Sequence, residues 1–187
     1  MFRSIWRISV ILLLLVGCQY VLQNVTSEGA KESTSSISKQ GVPTEVEFIV
    51  GRVVRVIDGD TVSVLDADKT QHRIRLSQID APESKQPYSK VSKEALSALI
   101  ADKEVKVKIA GIDRYQRVLG EIFIGDTNAN LYLVEKGLAW AYTDYVTDPR
   151  YLKAQEIAEQ KKLGLWRDPQ PLAPWDYRHQ QREQRKK

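Results

Sequence analysis

The stretch Val46-Glu-Phe-Ile-Val-Gly-Arg-Val-Val-Arg-Val-Ile57, then Asp58-Gly-Asp60, Thr61-Val-Ser-Val-Leu65 and Gln71-His-Arg-Ile-Arg-Leu76, decides the architecture. β-Branched residues dominate it, and apolar and polar side chains alternate, which predicts three half-buried strands. Asp58-Gly59 is a turn signal suited to a tight connection, so Asp60 emerges at a strand start beside Arg75 of the third strand. Downstream, Val91, Ala95 and Leu99 recur at helical spacing with Leu96 and Ile100 widening the stripe, which predicts a helix over 89–102 packed on the sheet. Glu104-Val-Lys-Val-Lys-Ile109 alternates as a fourth strand, and Val118 to Ile124 supplies a fifth. Asn130 begins a short helix that stops before Gly137. Asp148-Pro149 opens a longer one, with Asp148 as N-cap and Pro149 at the first helical position, and Gly164 marks its end. Five strands and three helices define an α+β chain. A small five-stranded Greek-key barrel and a general α+β domain both accommodate these elements, and spacing alone does not choose between them. The sequence contains no internal repeat and no sign of a second domain.

Upstream of the strands the character changes twice. Arg3 and Arg7 precede an apolar run from Ile8 to Val16. At about 1.5 Å per residue such a run is too short for a hydrocarbon core of about 30 Å, so 1–17 reads as an export signal. Its end, Leu15-Val-Gly-Cys18, resembles the bacterial lipoprotein cleavage box, and Cys18 is the chain's only cysteine. No disulfide can form within one chain, and a lone thiol placed there suits an acyl anchor. An ordinary signal peptide cut at small residues is the alternative. Residues 18–45 then form a tether, rich in Ser, Thr, Lys, Glu and Gly, that cannot bury enough apolar surface to order itself. Lipidation would place the domain on the outer side of the cytoplasmic membrane, periplasmic or at the cell surface; without it the protein is secreted.

With 187 residues and 42% hydrophobic content the chain supports one globular domain, placed at 46–175. The formal charge is +4, to which Arg3 and Arg7 contribute, so net charge neither requires nor excludes a nucleic-acid partner. The cations do cluster in 176–187, a basic tail that reads as a solvated, disordered end or as a phosphate-binding arm. Trp140, Trp166, Trp175 and Tyr177, near Gly164 and the Pro169 to Pro174 segment, are expected to pin the chain end onto the core rather than to stack bases. His72 and His179 are the only histidines, which excludes a histidine-rich zinc site.

The chemistry lies in Asp58-Gly-Asp60-Thr61, Arg75, Asp80-Ala-Pro-Glu83 and Asp113-Arg-Tyr-Gln-Arg117. Asp60 and Asp80, with a backbone carbonyl at Ala81, are oxygen ligands of the kind a hard cation takes. Glu83, three residues past Asp80, is a candidate base for water. Arg75 and Arg117 carry planar forks that meet phosphoryl oxygens in pairs at any workable pH. Together these groups form a kit for attacking a phosphodiester. Asp58-Gly-Asp60 alone would be an ordinary turn, and it lacks the ligand pattern of an EF-hand loop.

Val56-Ile-Asp-Gly-Asp-Thr-Val62, Ile74-Arg-Leu-Ser-Gln-Ile-Asp-Ala-Pro-Glu83 and Asp113-Arg-Tyr-Gln-Arg117 together resemble the staphylococcal nuclease, or thermonuclease-like, family from about Val46 to about Trp175. The resemblance implies an OB-fold barrel, one calcium ion held by Asp60 and Asp80 (magnesium or another divalent ion is the lesser expectation), Glu83 as general base, and Arg75 and Arg117 on the scissile phosphate. It places Tyr115 and Tyr145 at the nucleotide pocket. It also implies cleavage of single-stranded or locally melted DNA and RNA to 3′-phosphate products, by a monomer. Ala81 stands where the family prototype has threonine, Gln116 replaces a glycine, and the segment after Glu83 is shorter than the prototype's loop. Two other functions remain open: an OB module that captures nucleic acid without cutting it, and a surface lipoprotein whose charged set is only a turn and ion-pair network.

Overall fold

The computed structural model describes residues 46–187. The signal segment, Cys18 and the tether lie outside the described residues. Strands β1 (Phe48–Val56), β2 (Thr61–Asp66) and β3 (Gln71–Leu76) form an antiparallel meander. After the short β4 (Ile79–Asp80) and helix α1 (Ser89–Ile100), β5 (Glu104–Ile112) pairs antiparallel with β1 and with β6 (Val118–Ile124). β6 then runs parallel to β3 through Ile74–Val118, Arg75–Leu119 and Leu76–Gly120. That pairing closes five strands into a barrel, so each barrel strand is paired on both sides. Irregularities at Val53/Arg55 in β1 and Ile109/Gly111 in β5 break the register, and such bulges increase local bend and twist.

The strand alternation places Val53, Val62, Val64, Ile74, Leu76, Val105, Val107 and Ile122 inside, each 2% exposed or less. Leu96 and Ile100 of α1 join this core, but Val91, expected on the same stripe, is exposed. Ser92 takes the inward position and donates its hydroxyl to the Leu138 carbonyl. Helix α2 (Ala129–Glu135) is capped by Asn128, whose side chain accepts from the Leu131 amide. Helix α3 (Pro149–Gln160) starts as its sequence predicts, with Asp148 accepting from the Arg150 amide.

Short strands β7 (Thr127–Asn128) and β8 (Trp140–Ala141) complete the sheets, β8 pairing with β4 so that Asp80 faces Trp140. Gly164 does not end α3, as the sequence suggested it would: the helix stops at Gln160 with Lys161 as its C-cap, and Gly164 opens a 3-10 turn over Gly164–Arg167. It meets Gly137 backbone to backbone: a Cβ on Gly164 would lie 2.1 Å from the Gly137 carbonyl oxygen. The two positive-φ glycines are thus the only residue type that lets these segments touch.

One element departs from expectation. The segment read as a proline-rich chain end and disordered basic tail forms a fourth helix, α4 (Pro174–Gln184), so the domain has four α-helices rather than three. Pro174 at its first position is compatible with a helix start. Trp175 fastens it: the ring stacks on Tyr142 at 5.2 Å and meets Trp140 edge-on at 5.5 Å, while Trp140 packs against Trp166 at 4.4 Å. The tryptophans therefore act as packing residues, as their surroundings in the sequence suggested. No helix among the described residues is long and apolar enough to cross a membrane.

Candidate active site

The β1–β2 turn is built by its own side chains. Asp58 accepts from the Asp60 amide at 3.0 Å, and the Ile57 amide closes onto the Thr61 carbonyl at 2.9 Å. Gly59 lets the turn press against Ala81 and α1, because a Cβ there would lie 2.8 Å from both Ala81 Cβ and Ser92 Cβ. Asp60 is delivered to the barrel mouth, where its Oδ2 accepts the Ala81 amide at 2.7 Å. Gly59→Ala is therefore expected to destabilise the fold by about 1–3 kcal/mol, the usual cost of overpacking, and to loosen Asp60. A denaturant midpoint equal to that of the parent would contradict this.

Asp60 and Asp80 are buried, 7% and 1% exposed, and one guanidinium joins them. Arg75 Nη2 lies 3.1 Å from Asp60 Oδ2 and 2.8 Å from Asp80 Oδ1, while its Nη1 donates to the carbonyls of Leu76 and Ile79. Arg75 is thus a brace across β3 and β4 as well as a charge. Burial pushes the Asp60 carboxyl up to about 7; Arg75 pulls against this, and the neighbouring Asp58 and Asp80 charges add to it. Two crowded acids with one arginine between them form a site short of positive charge.

That charge comes from an unexpected quarter. Arg178 of α4 donates from Nη2 to Asp80 Oδ2 at 2.8 Å and from Nη1 to Glu83 Oε1 at 2.8 Å. A single side chain thus spans a metal-ligand candidate and the base candidate, 98 and 95 residues away in sequence. Glu83 itself is 39% exposed at its side chain, and its amide is held by Gln86, whose Nε2 donates to the Leu172 carbonyl ahead of α4.

On the β5–β6 turn, Asp113 accepts the amides of Tyr115 and Arg117 and binds Arg117 Nε and Nη2, each at 2.7 Å. Burial acts against the charge on Asp113, but these hydrogen bonds outweigh it and hold the carboxyl below the usual carboxylate range. The turn therefore presents Arg117 in a fixed pose, with Tyr115 lying over its guanidinium at 5.6 Å. A cleft of about 1060 Å³ brings the set together: Asp60, Asp80, Glu83, Arg75, Arg117 and Arg178 all line it. Tyr115 and Tyr145 also line it, 65% and 62% exposed, and Tyr145 leans on Tyr142 at 4.5 Å. Ala81 is buried beside Asp60 and lines the same cleft.

Sequence reasoning thus placed all five charged candidates on one cleft and missed Arg178. A signal for it existed in Arg178, Arg182 and Arg185, which fall on one helical face. It also missed buried Glu121, which lines the cleft and accepts from Tyr151 at 2.6 Å, Asn128 at 3.0 Å and Gln78 at 3.1 Å. This network ties β6 to α3 and to the loop before β4.

The donor set suits a hard cation. Asp60 and Asp80 supply oxygen only, and Arg75, wedged between the two carboxylates, stands where positive charge is needed. No group of three or more His, Cys, Asp or Glu side chains able to hold a metal occurs among the described residues, so two carboxylates would leave the remaining positions to backbone and water.

Fold and site together define a nuclease, an enzyme that hydrolyses phosphodiester bonds. A profile of staphylococcal nuclease homologues matches residues 73–168. An Escherichia coli protein named as an uncharacterized endonuclease is 48% identical over 132 residues, covering 70% of this chain and 86% of its own. A Haemophilus influenzae protein of the same description is 44% identical, covering 70% and 74%. A Shigella flexneri micrococcal nuclease is 38% identical over 148 residues, covering 73% and 84%. The chain belongs to the staphylococcal nuclease family.

Proposed function

We propose that this nuclease hydrolyses single-stranded or locally melted DNA and RNA with little sequence preference, using one calcium ion. The observation that carries the reading is the convergence of charged side chains from the β1–β2 turn, β3, β4, the loop after β4 and the β5–β6 turn on one cleft. Asp60 and Asp80 would hold the ion, with the Ala81 carbonyl completing the protein share. When bound, it supplies Lewis-acid charge beside the phosphate.

Glu83, more exposed than either aspartate, accepts the proton of the attacking water. Arg117 has Nε and Nη2 committed to Asp113, which fixes the fork and leaves Nη1 for a phosphoryl oxygen as charge builds there. Arg75 lends its charge while bracing the two aspartates. Tyr115 and Tyr145 offer exposed faces to bases, contacts that carry little sequence information. Phosphate-directed contacts agree with weak sequence preference. The family pattern supports 3′-phosphate products and action as a monomer, and the sequence of 1–17 with Cys18 supports an exported, lipid-anchored form.

The Arg178 tie favours one competing reading, a module that binds nucleic acid with its carboxylates permanently neutralised. One assay separates the two. The purified protein is expected to cleave single-stranded DNA in calcium and to lose that activity when the ion is chelated. Failure with every divalent cation, coupled with salt-sensitive retention of the strand, would establish the binding module instead.

A further inference from the structure

We propose that the basic face of α4 is a second phosphate subsite, which carries the substrate strand beyond the scissile bond on the Glu83 side. This rests on the reading of the cleft as a polynucleotide site and extends it. Arg178 and Arg182 of α4 and Arg185, its C-cap with helical backbone angles, lie at positions i, i+4 and i+7, so their side chains form a single row.

Arg178 begins that row inside the catalytic cleft, on Asp80 and Glu83. Beyond it a groove of about 340 Å³ is lined by Lys85, Tyr177, Arg178, Arg182 and Arg185, together with Glu83. Glu83, Ser84, Arg178 and Arg182 line both the groove and the cleft, so the two are continuous.

The charges differ along the row. Arg178 is neutralised by the site's carboxylates, whereas Lys85, Arg182 and Arg185 form no ion pair among the described residues. Glu183, the acid nearest in sequence, is turned to Lys186 at 2.9 Å. A helix with one cation fixed and two uncompensated, opening from a phosphate-cleaving cleft, matches a strand whose backbone charges repeat along its length. Lys85, from the loop after β4, adds a further cation to the groove lining, and Tyr177, expected from the sequence to pack, instead lines the groove and adds a ring for a base. The ring contacts of Trp175 with Trp140 and Tyr142 fix the start of α4 on the domain, so the backbone that carries the row is already ordered.

The test compares a 20-nucleotide single strand with a dinucleotide too short to reach the groove, using the parent and the double variant Lys85→Gln/Arg185→Gln, whose two positions line the groove and not the cleft. Arg178 is left intact so that the helix stays tied. The expected result is a KM for the long strand raised about tenfold, and a salt dependence of binding shallower by about 0.7 per lost contact. The dinucleotide should lose less than twofold. Equal changes on both substrates, or none on either, would overturn the subsite while leaving the nuclease reading intact. Failure of the parent to cleave either substrate would instead count against the nuclease reading.

Discussion

Replacing Glu83 with glutamine is expected to lower turnover of single-stranded DNA by about 10²- to 10⁴-fold, the usual worth of a positioned general base. KM should change little. The amide keeps the shape of the carboxylate and can still meet Arg178, which now spans Asp80 and Glu83 at 2.8 Å each. What it loses is the ability to take a proton. Because Glu83 is the most exposed of the three acids, the substitution should leave the melting temperature almost unchanged, which separates a chemical defect from a folding one. Single-turnover kinetics would decide the matter, and a variant with parental turnover would remove Glu83 from the role of base.

Arg75→Ala is expected to damage stability and activity together. Its two terminal nitrogens satisfy Asp60, Asp80 and the carbonyls of Leu76 and Ile79, all at 3.1 Å or less. Removing it leaves two buried carboxylates facing one another with only Arg178 to offset them. Breaking a buried pair on one side costs about 3–5 kcal/mol, a large share of the stability of a domain of this size. Calcium should restore part of the loss, because a cation binding the folded site alone shifts the unfolding equilibrium by mass action. Urea unfolding of the variant with and without calcium reads both effects. A variant as stable as the parent in the absence of calcium would mean that Arg75 does not brace the aspartates.

The strands were readable from β-branched and apolar runs, alternating cleanly in Glu104-Val-Lys-Val-Lys-Ile109, and β3 and β6 have the bounds read from the chain. Closure of the barrel was not, since the parallel β3–β6 pairing joins segments whose local pattern says nothing about each other. Helix α1 shows how apolar periodicity fails at a polar contact: Ser92 is buried because the Leu138 carbonyl takes its hydroxyl, and Val91 is left outside. Asp60, Asp80, Glu83 and Arg75 were legible because their spacing is tight and their chemistry is shared. Arg178 was not, because its partners are almost a hundred residues away and its neighbours are polar. The tail looked disordered for want of a core of its own; Trp175 supplies the attachment by borrowing Tyr142 and Trp140.

The packing around Trp175 has an optical corollary. Three of the chain's four tryptophans, Trp140, Trp166 and Trp175, stand within one chain of ring contacts beneath the arginine-bearing helix. Their emission therefore comes from a single seam of the molecule, and a fluorescence trace of denaturation follows the release of that seam rather than the melting of the far barrel wall.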